Sequence, residues 1–133
     1  MKNKYLIFLL LISLVFAISG CSSSSSSTTS SYNTITGNEA KTMMDESSDV
    51  IILDVRTEEE FATGHIKGAI VIPDIEITEK AEGILTDKTA TILIYCHSGR
   101  RAALASADLA ELGYTNIYDF GGILDWNYEV VTD

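Results

Sequence analysis

The sequence predicts an α/β domain built on an open, mainly parallel sheet flanked by helices. Three observations carry that expectation. Val50-Ile51-Ile52-Leu53 and Thr91-Ile92-Leu93-Ile94-Tyr95 are near-continuous apolar, β-branched runs, as required of strands buried on both faces. Helix-start signals alternate with such runs along the chain, a pattern that implies parallel pairing through right-handed crossovers. Each feature occurs once, so there is no internal repeat and the body is a single domain, residues 32–133, of adequate size for a core.

In order, Tyr32 to Ile35 is expected as a short first strand. Thr36-Gly37-Asn38-Glu39 has capping-box spacing and opens a helix through Met44. After the Val50–Leu53 strand, Thr57-Glu58-Glu59-Glu60 is a second capping box. Its acids sit in the first turn, where the helix dipole favours them, and Gly64 stops the helix. Ala69 to Ile72 is a strand closed by Pro73, followed by a helical stretch around Thr78 to Leu85. Thr91–Tyr95 is the expected central strand. An Ala-rich helix from about Arg101 to Leu112 ends at Gly113, Asn116 to Asp119 is the last strand, and Gly121-Gly122 leads into a short terminal helix carrying Trp126.

The front of the chain is of another kind. Lys2 and Lys4 precede an uncharged, mostly apolar run from Tyr5 to Ile18, the layout of a secretory signal. As a helix it would reach about 21 Å, short of a hydrocarbon core of roughly 30 Å. Residues 22–31 are Ser and Thr throughout and read as a flexible tether with an r.m.s. reach of roughly 16–19 Å. With Lys2 and Lys4 removed, 7 basic residues stand against 19 acidic ones, net −12. That charge argues against a nucleic-acid partner, whose binding depends on Lys and Arg displacing counterions. It is also repelled by anionic headgroups, so any membrane attachment must come from elsewhere than the domain surface. Two cysteines 75 positions apart make no disulfide scaffold.

Cys96-His97-Ser98-Gly99-Arg100-Arg101 joins the central strand to the Ala-rich helix and therefore lies at the carboxyl edge of the sheet, where open α/β folds bind ligands. A helix N-terminus supplies unpaired N–H groups and partial positive charge. A thiol placed there with two arginines behind it is favoured as thiolate and is a candidate nucleophile, against the alternative of an inert core cysteine. His97, adjacent to Cys96, is read as a loop side chain and not as a catalytic base. His65, in a Gly-His-Ile turn, is read as structural, and two separated histidines with one cysteine make no metal site. Neither metal nor cofactor is expected. Asp54 ends a buried strand and is expected to bond nearby backbone with Arg56 as its partner, a catalytic base being the alternative. The Glu58–Glu60 run is read as a solvated helix start, and Trp126 as core packing.

Ile18-Ser19-Gly20-Cys21, small residues directly before a cysteine, resembles the lipobox of bacterial lipoproteins. The resemblance implies cleavage before Cys21, a diacylglycerol on its sulfur and usually a further acyl chain, enough for stable anchoring. Residues 1–20 would then be the signal peptide and residues 21–31 the lipidated tether, with the domain held outside the cell on a bacterial membrane.

The body resembles the rhodanese (sulfurtransferase) family. Cys96, Gly99 and Arg101 match its Cys-x-x-Gly-x-Arg loop, and Leu53-Asp54-Val55-Arg56, Glu60-Phe61 and Gly64-His65-Ile66-Lys67-Gly68-Ala69 match a second signature. Gly121-Gly122 and Trp126 are similar to its closing segment, although the tail lacks the Gly-x-Pro that often follows. The resemblance implies that Cys96 takes sulfur from a sulfane donor such as thiosulfate, holds it as a persulfide within the amides of His97, Ser98, Gly99, Arg100 and Arg101, and passes it to a thiophilic acceptor. It also implies distinct roles for the two arginines, one facing the donor anion and one securing the loop. No second catalytic cysteine is present, so a thiol or cyanide-like acceptor must come from outside, and an exposed thiolate there is open to oxidation. A non-enzymatic binding or sulfur-carrier module is the alternative. Related phosphatases and arsenate reductases use Cys-x5-Arg around a tetrahedral oxyanion, whereas the count here is Cys-x4-Arg because residue 102 is Ala.

Overall fold

The computed structural model describes residues 31–132. The signal-like run, Cys21 and the tether up to residue 30 lie outside the described residues. The elements are β1 (Asn33–Thr34), α1 (Gly37–Glu46), β2 (Ile51–Asp54), α2 (Glu58–Thr63), β3 (His65–Ile66), β4 (Ile70–Val71), α3 (Ile77–Ile84), β5 (Thr91–Cys96), α4 (Arg100–Glu111), β6 (Asn116–Gly122) and β7 (Val130–Val131), with 3-10 turns at Asp74–Glu76 and Ile123–Asp125. Five strands form a parallel sheet in the order β1-β6-β5-β2-β4, and β3 pairs antiparallel with β7 in a separate ribbon. This is the architecture anticipated from the sequence: a mostly parallel sheet flanked by helices in one small domain.

β5 lies at the centre because its residues are apolar on both faces. Ile92, Ile94 and Cys96 pack into one cluster with Leu53, Ile77 and Leu109, beneath α3 and α4. Leu93 and Tyr95 point the other way, into a cluster with Ala40, Ile66 and Phe120 beneath α1. Burying each large apolar side chain is worth roughly 1.5–3 kcal/mol, and the three residues Ile92 to Ile94 are fully buried. Both capping boxes form: Thr36 accepts from Glu39 N–H, Thr57 accepts from Glu60 N–H, and each glutamate reaches back to its cap backbone.

Three expectations need correction. The strand starting at Asn116 does not stop at Asp119 but runs to Gly122, because a register shift between Ile94 and Cys96 lets β6 continue past the end of the regular ladder. It is not the last strand, since Val131 and Val130 pair with His65 and Ile66, a contact between short segments far apart in sequence. The terminal helix is only the 3-10 turn Ile123–Asp125, with Trp126 just beyond it, packing on Phe120 and Tyr128 at ring separations of 5.7 and 4.9 Å.

Candidate active site

Cys96 is the last residue of β5, and the chain turns through His97 and Ser98 directly into α4. Gly99 makes that turn possible, because its φ of +104° lies in the left-handed region that strains a side chain. Its N–H donates to Cys96 Sγ at 3.0 Å, closing the loop onto the sulfur. The first helical hydrogen bond runs from Ala103 N–H to Gly99 O at 3.1 Å, so the amides of Arg100, Arg101 and Ala102 have no intrahelical acceptor. The sulfur thus sits at the positive end of a twelve-residue helix. Cys96 is only 1% exposed, unlike the open thiolate expected from a loop position: it is still within the strand and packs on the α4 side of the core. His97 and Ser98 are exposed.

The two arginines have different surroundings. Arg101 donates from Nη1 and Nη2 to both oxygens of Glu60, at 2.7 and 2.8 Å, a bidentate pair that fixes the first turn of α4 to α2. The Arg101 hydrogen bonds hold the Glu60 carboxyl down at about 2. Reciprocally, the Glu60 contact raises Arg101 above the usual guanidinium range. Glu60 is therefore no solvated helix start: the carboxylate that completes the Thr57 capping box also carries the loop's anchor. Arg100 is exposed and forms no ion pair among the described residues.

Asp54 ends β2 in register with Tyr95, the residue before Cys96. Its carboxylate accepts from Arg56 N–H at 2.9 Å, from Nε at 3.0 Å and from Nη2 at 2.6 Å, so both oxygens are engaged. Arg56 Nη2 also donates to Gly64 O at 2.7 Å, and its guanidinium lies 5.7 Å from the Tyr95 ring centre. Burial works against the Arg56 charge, yet the Asp54 hydrogen bonds and charge outweigh it and leave Arg56 above its ordinary value. Tyr95 Oη accepts from Ile66 N–H at 3.1 Å, and burial raises its hydroxyl further above the usual phenol range. This buried group braces the strand ends beside Cys96 and leaves Asp54 committed to Arg56. His65 stacks on Phe61 at 3.7 Å and places Nδ1 3.0 Å from Phe61 O, the structural role expected of it.

Sequence reasoning undervalued Gly121 and Gly122. A side-chain carbon on Gly122 would lie 2.3 Å from His97 O and 2.6 Å from Ser98 Cα, so the loop rests directly on β6 backbone. Gly121 has φ +90°, and its N–H donates to Asp119 Oδ1 at 2.9 Å, which shapes the end of β6 against Gly99. The paired glycines were the available signal. A groove of about 410 Å³ lies elsewhere, between the end of α1 and the Trp126–Glu129 segment, and includes no residue of the Cys96 loop. No cluster of three or more potential metal ligands occurs among the described residues, and no helix among them is long and apolar enough to cross a membrane.

Comparison with known proteins bears on this arrangement. The rhodanese-like domain profile matches residues 36–129. Thiosulfate sulfurtransferase PspE of Escherichia coli (strain K12) is 38% identical over 73 residues, 55% of this chain and 70% of that protein. A sulfurtransferase of Allochromatium vinosum is 33% identical over 95 residues, 71% of this chain and 87% of that one. Among solved structures, a rhodanese-like domain protein from Staphylococcus aureus superposes with a TM-score of 0.65 at 32% identity, covering 76% of this chain and 98% of that one. The domain is matched too in a putative sulfur carrier protein of Bacillus subtilis, of which the chain spans 46%, and in a tRNA uridine(34) hydroxylase of Photorhabdus laumondii, of which it spans 26%.

Proposed function

The chain belongs to the rhodanese-like domain family, and on that premise we propose that it is a sulfurtransferase working through a persulfide on Cys96, tethered outside the cell by a lipidated Cys21. The observation that carries the reading is the Gly99 N–H held 3.0 Å from Cys96 Sγ at the junction of β5 and α4. A sulfur so placed accepts from a fixed amide as negative charge builds on it, without reorganisation of the loop.

With thiosulfate as donor, the Cys96 thiolate attacks the outer sulfur. The new S–S bond forms as the donor's S–S bond breaks, and sulfite leaves with the electron pair. The resulting persulfide carries one negative charge, suited to the amides of the loop and the first turn of α4. Arg101, held by Glu60, keeps that turn in place, while Arg100 is free to meet the donor anion. Neither metal nor cofactor enters the scheme.

The similarity to a putative sulfur carrier protein favours a second reading, in which Cys96 holds sulfur for hand-over without turning over small substrates. Intact-mass spectrometry of the full chain in detergent, before and after thiosulfate, tests both. A gain of about 32 Da, one sulfur atom, absent in Cys96→Ser and removed by cyanide, is expected of the sulfurtransferase. A gain that cyanide removes once, without repeated turnover of thiosulfate, would favour the carrier; a gain that resists both cyanide and thiols is sulfinic acid and, like no gain with thiosulfate or polysulfide, would sink both.

A further inference from the structure

The three most exposed large hydrophobic side chains among the described residues are Ile75, Leu124 and Leu104, at 85%, 65% and 52%. They are far apart in sequence, yet Leu124 bonds the Cys96 loop while Leu104 and the turn carrying Ile75 lie on and against α4, the helix into which that loop runs. Leu124 donates its N–H to His97 O at 3.2 Å. Leu104 stands one helical turn beyond Arg100 on α4, and so on the same face. Ile75 is the middle residue of the 3-10 turn Asp74–Glu76, which packs on α4, and Asp74 contributes to the field on Arg101. Single exposed apolar residues are ordinary, but concentration around one functional loop marks an interaction site.

The charge around this rim is negative. Ile75 is flanked by Asp74 and Glu76, and Asp125 follows Leu124. Lys80 hydrogen-bonds Glu76 at 2.6 Å and lies in the field of Glu58 and Glu79, so the starts of α2 and α3 gather their carboxylates on the Ile75 side. Arg100 stands as a local exception beside the sulfur. A small anionic acceptor gains nothing from the apolar contacts, whereas the carboxylates beside them attract a cationic partner and Arg100 remains for the donor anion. Cys96 is 1% exposed.

We propose that the acceptor for the Cys96 sulfur is a cysteine carried on a basic segment of another protein, docked on Ile75, Leu104 and Leu124. This rests on the reading of Cys96 as a persulfide carrier. The acceptor thiolate attacks the outer persulfide sulfur, a new S–S bond forms on the acceptor, and the electron pair of the broken bond returns to Cys96 Sγ as thiolate. No outside oxidant or reductant is needed.

The test uses the full chain in detergent, loaded with thiosulfate. The acceptors are cyanide, the peptide Lys-Leu-Cys-Leu-Lys and its counterpart Glu-Leu-Cys-Leu-Glu. Each peptide's rate is divided by its rate with a small disulfide, to remove differences in thiol reactivity. The basic peptide is expected to be faster by about tenfold or more, an advantage that shrinks as ionic strength rises. In the double variant Ile75→Ser, Leu124→Ser, its rate is expected to fall about fivefold or more while cyanide turnover is unchanged. Equal normalised rates for the two peptides, or a variant that slows cyanide as much as peptide, would overturn the docking proposal. Failure of Cys96 to load, seen before any acceptor is added, would instead remove the sulfurtransferase reading beneath it.

Discussion

Gly122 lies so close to His97 that a methyl group on its α-carbon would stand 2.3 Å from the His97 carbonyl oxygen. Both partners are backbone, so neither can swing aside. Gly122→Ala is therefore expected to displace the Cys96 loop and to cost about 1–3 kcal/mol of stability by overpacking. Thermal unfolding together with persulfide yield checks this. A variant that melts and loads like the wild type would show that the loop does not depend on this contact.

Glu60→Gln removes the charge that holds Arg101 but can still serve the capping box. At pH 7 it is expected to lower stability by about 1 kcal/mol, the scale of a partly exposed bidentate pair. The Glu60 carboxyl is lowered from 4.5 to about 2 in the folded protein, so its contribution is complete above about pH 4.5 and disappears as pH falls toward 2. Urea midpoints at several pH values should show wild type and variant converging on the acid side. A gap that widened there would contradict the assignment.

Asp54→Ala leaves the buried Arg56 guanidinium without its carboxylate. A loss of about 3–5 kcal/mol is expected, as for breaking a buried pair by removing one partner. Chemical denaturation measures it, and a loss below about 1 kcal/mol would mean that water replaces Asp54 without strain.

Arg100→Ala should leave stability within about 0.5 kcal/mol, because the side chain is exposed and outside any ion pair among the described residues. Its effect is expected in the KM for thiosulfate, not in the melting temperature. Arg101→Ala should do the reverse first, loosening the loop and lowering kcat. Steady-state kinetics of the two variants, run beside their melting curves, would reject this division if both moved the same parameter.

Cys21→Ala in the full-length chain should move the protein from the membrane pellet to the soluble fraction of a fractionated bacterial host. Retention of a processed Cys21→Ala protein in the membrane would remove the lipid anchor from the proposal.

Local signals in the sequence carried far. Thr36 and Thr57 announced their helices through residues three positions away, and the apolar run from Ile92 announced a central strand. The Cys96 loop was legible because cysteine, glycine and arginines fall within six consecutive positions. What escaped was set by distance along the chain. Glu60 meets Arg101 from 41 residues away, so its local environment suggested only a helix start. Val130 and Val131 are too short a run to read as a strand without His65 and Ile66 in view. The burial of Cys96 likewise depends on strand β5 reaching one residue past its apolar run.

The strand that receives the chain from its N-terminal side is an edge strand of the main sheet. β1 is two exposed residues long; its pairing of Asn33 with Tyr118 and Thr34 with Asp119 is supplemented by Ile35 N–H to Asp119 O and Asn33 Nδ2 to Ile117 O, at 2.9 and 3.2 Å. β5 and β6, by contrast, share a long register ending at Cys96 and Gly122. A mechanical load arriving along the backbone from residue 31 therefore meets β1 before it reaches β6. The short edge is expected to act as a fuse, with tension spent on a two-residue flap before it reaches the seam on which the sulfur loop rests.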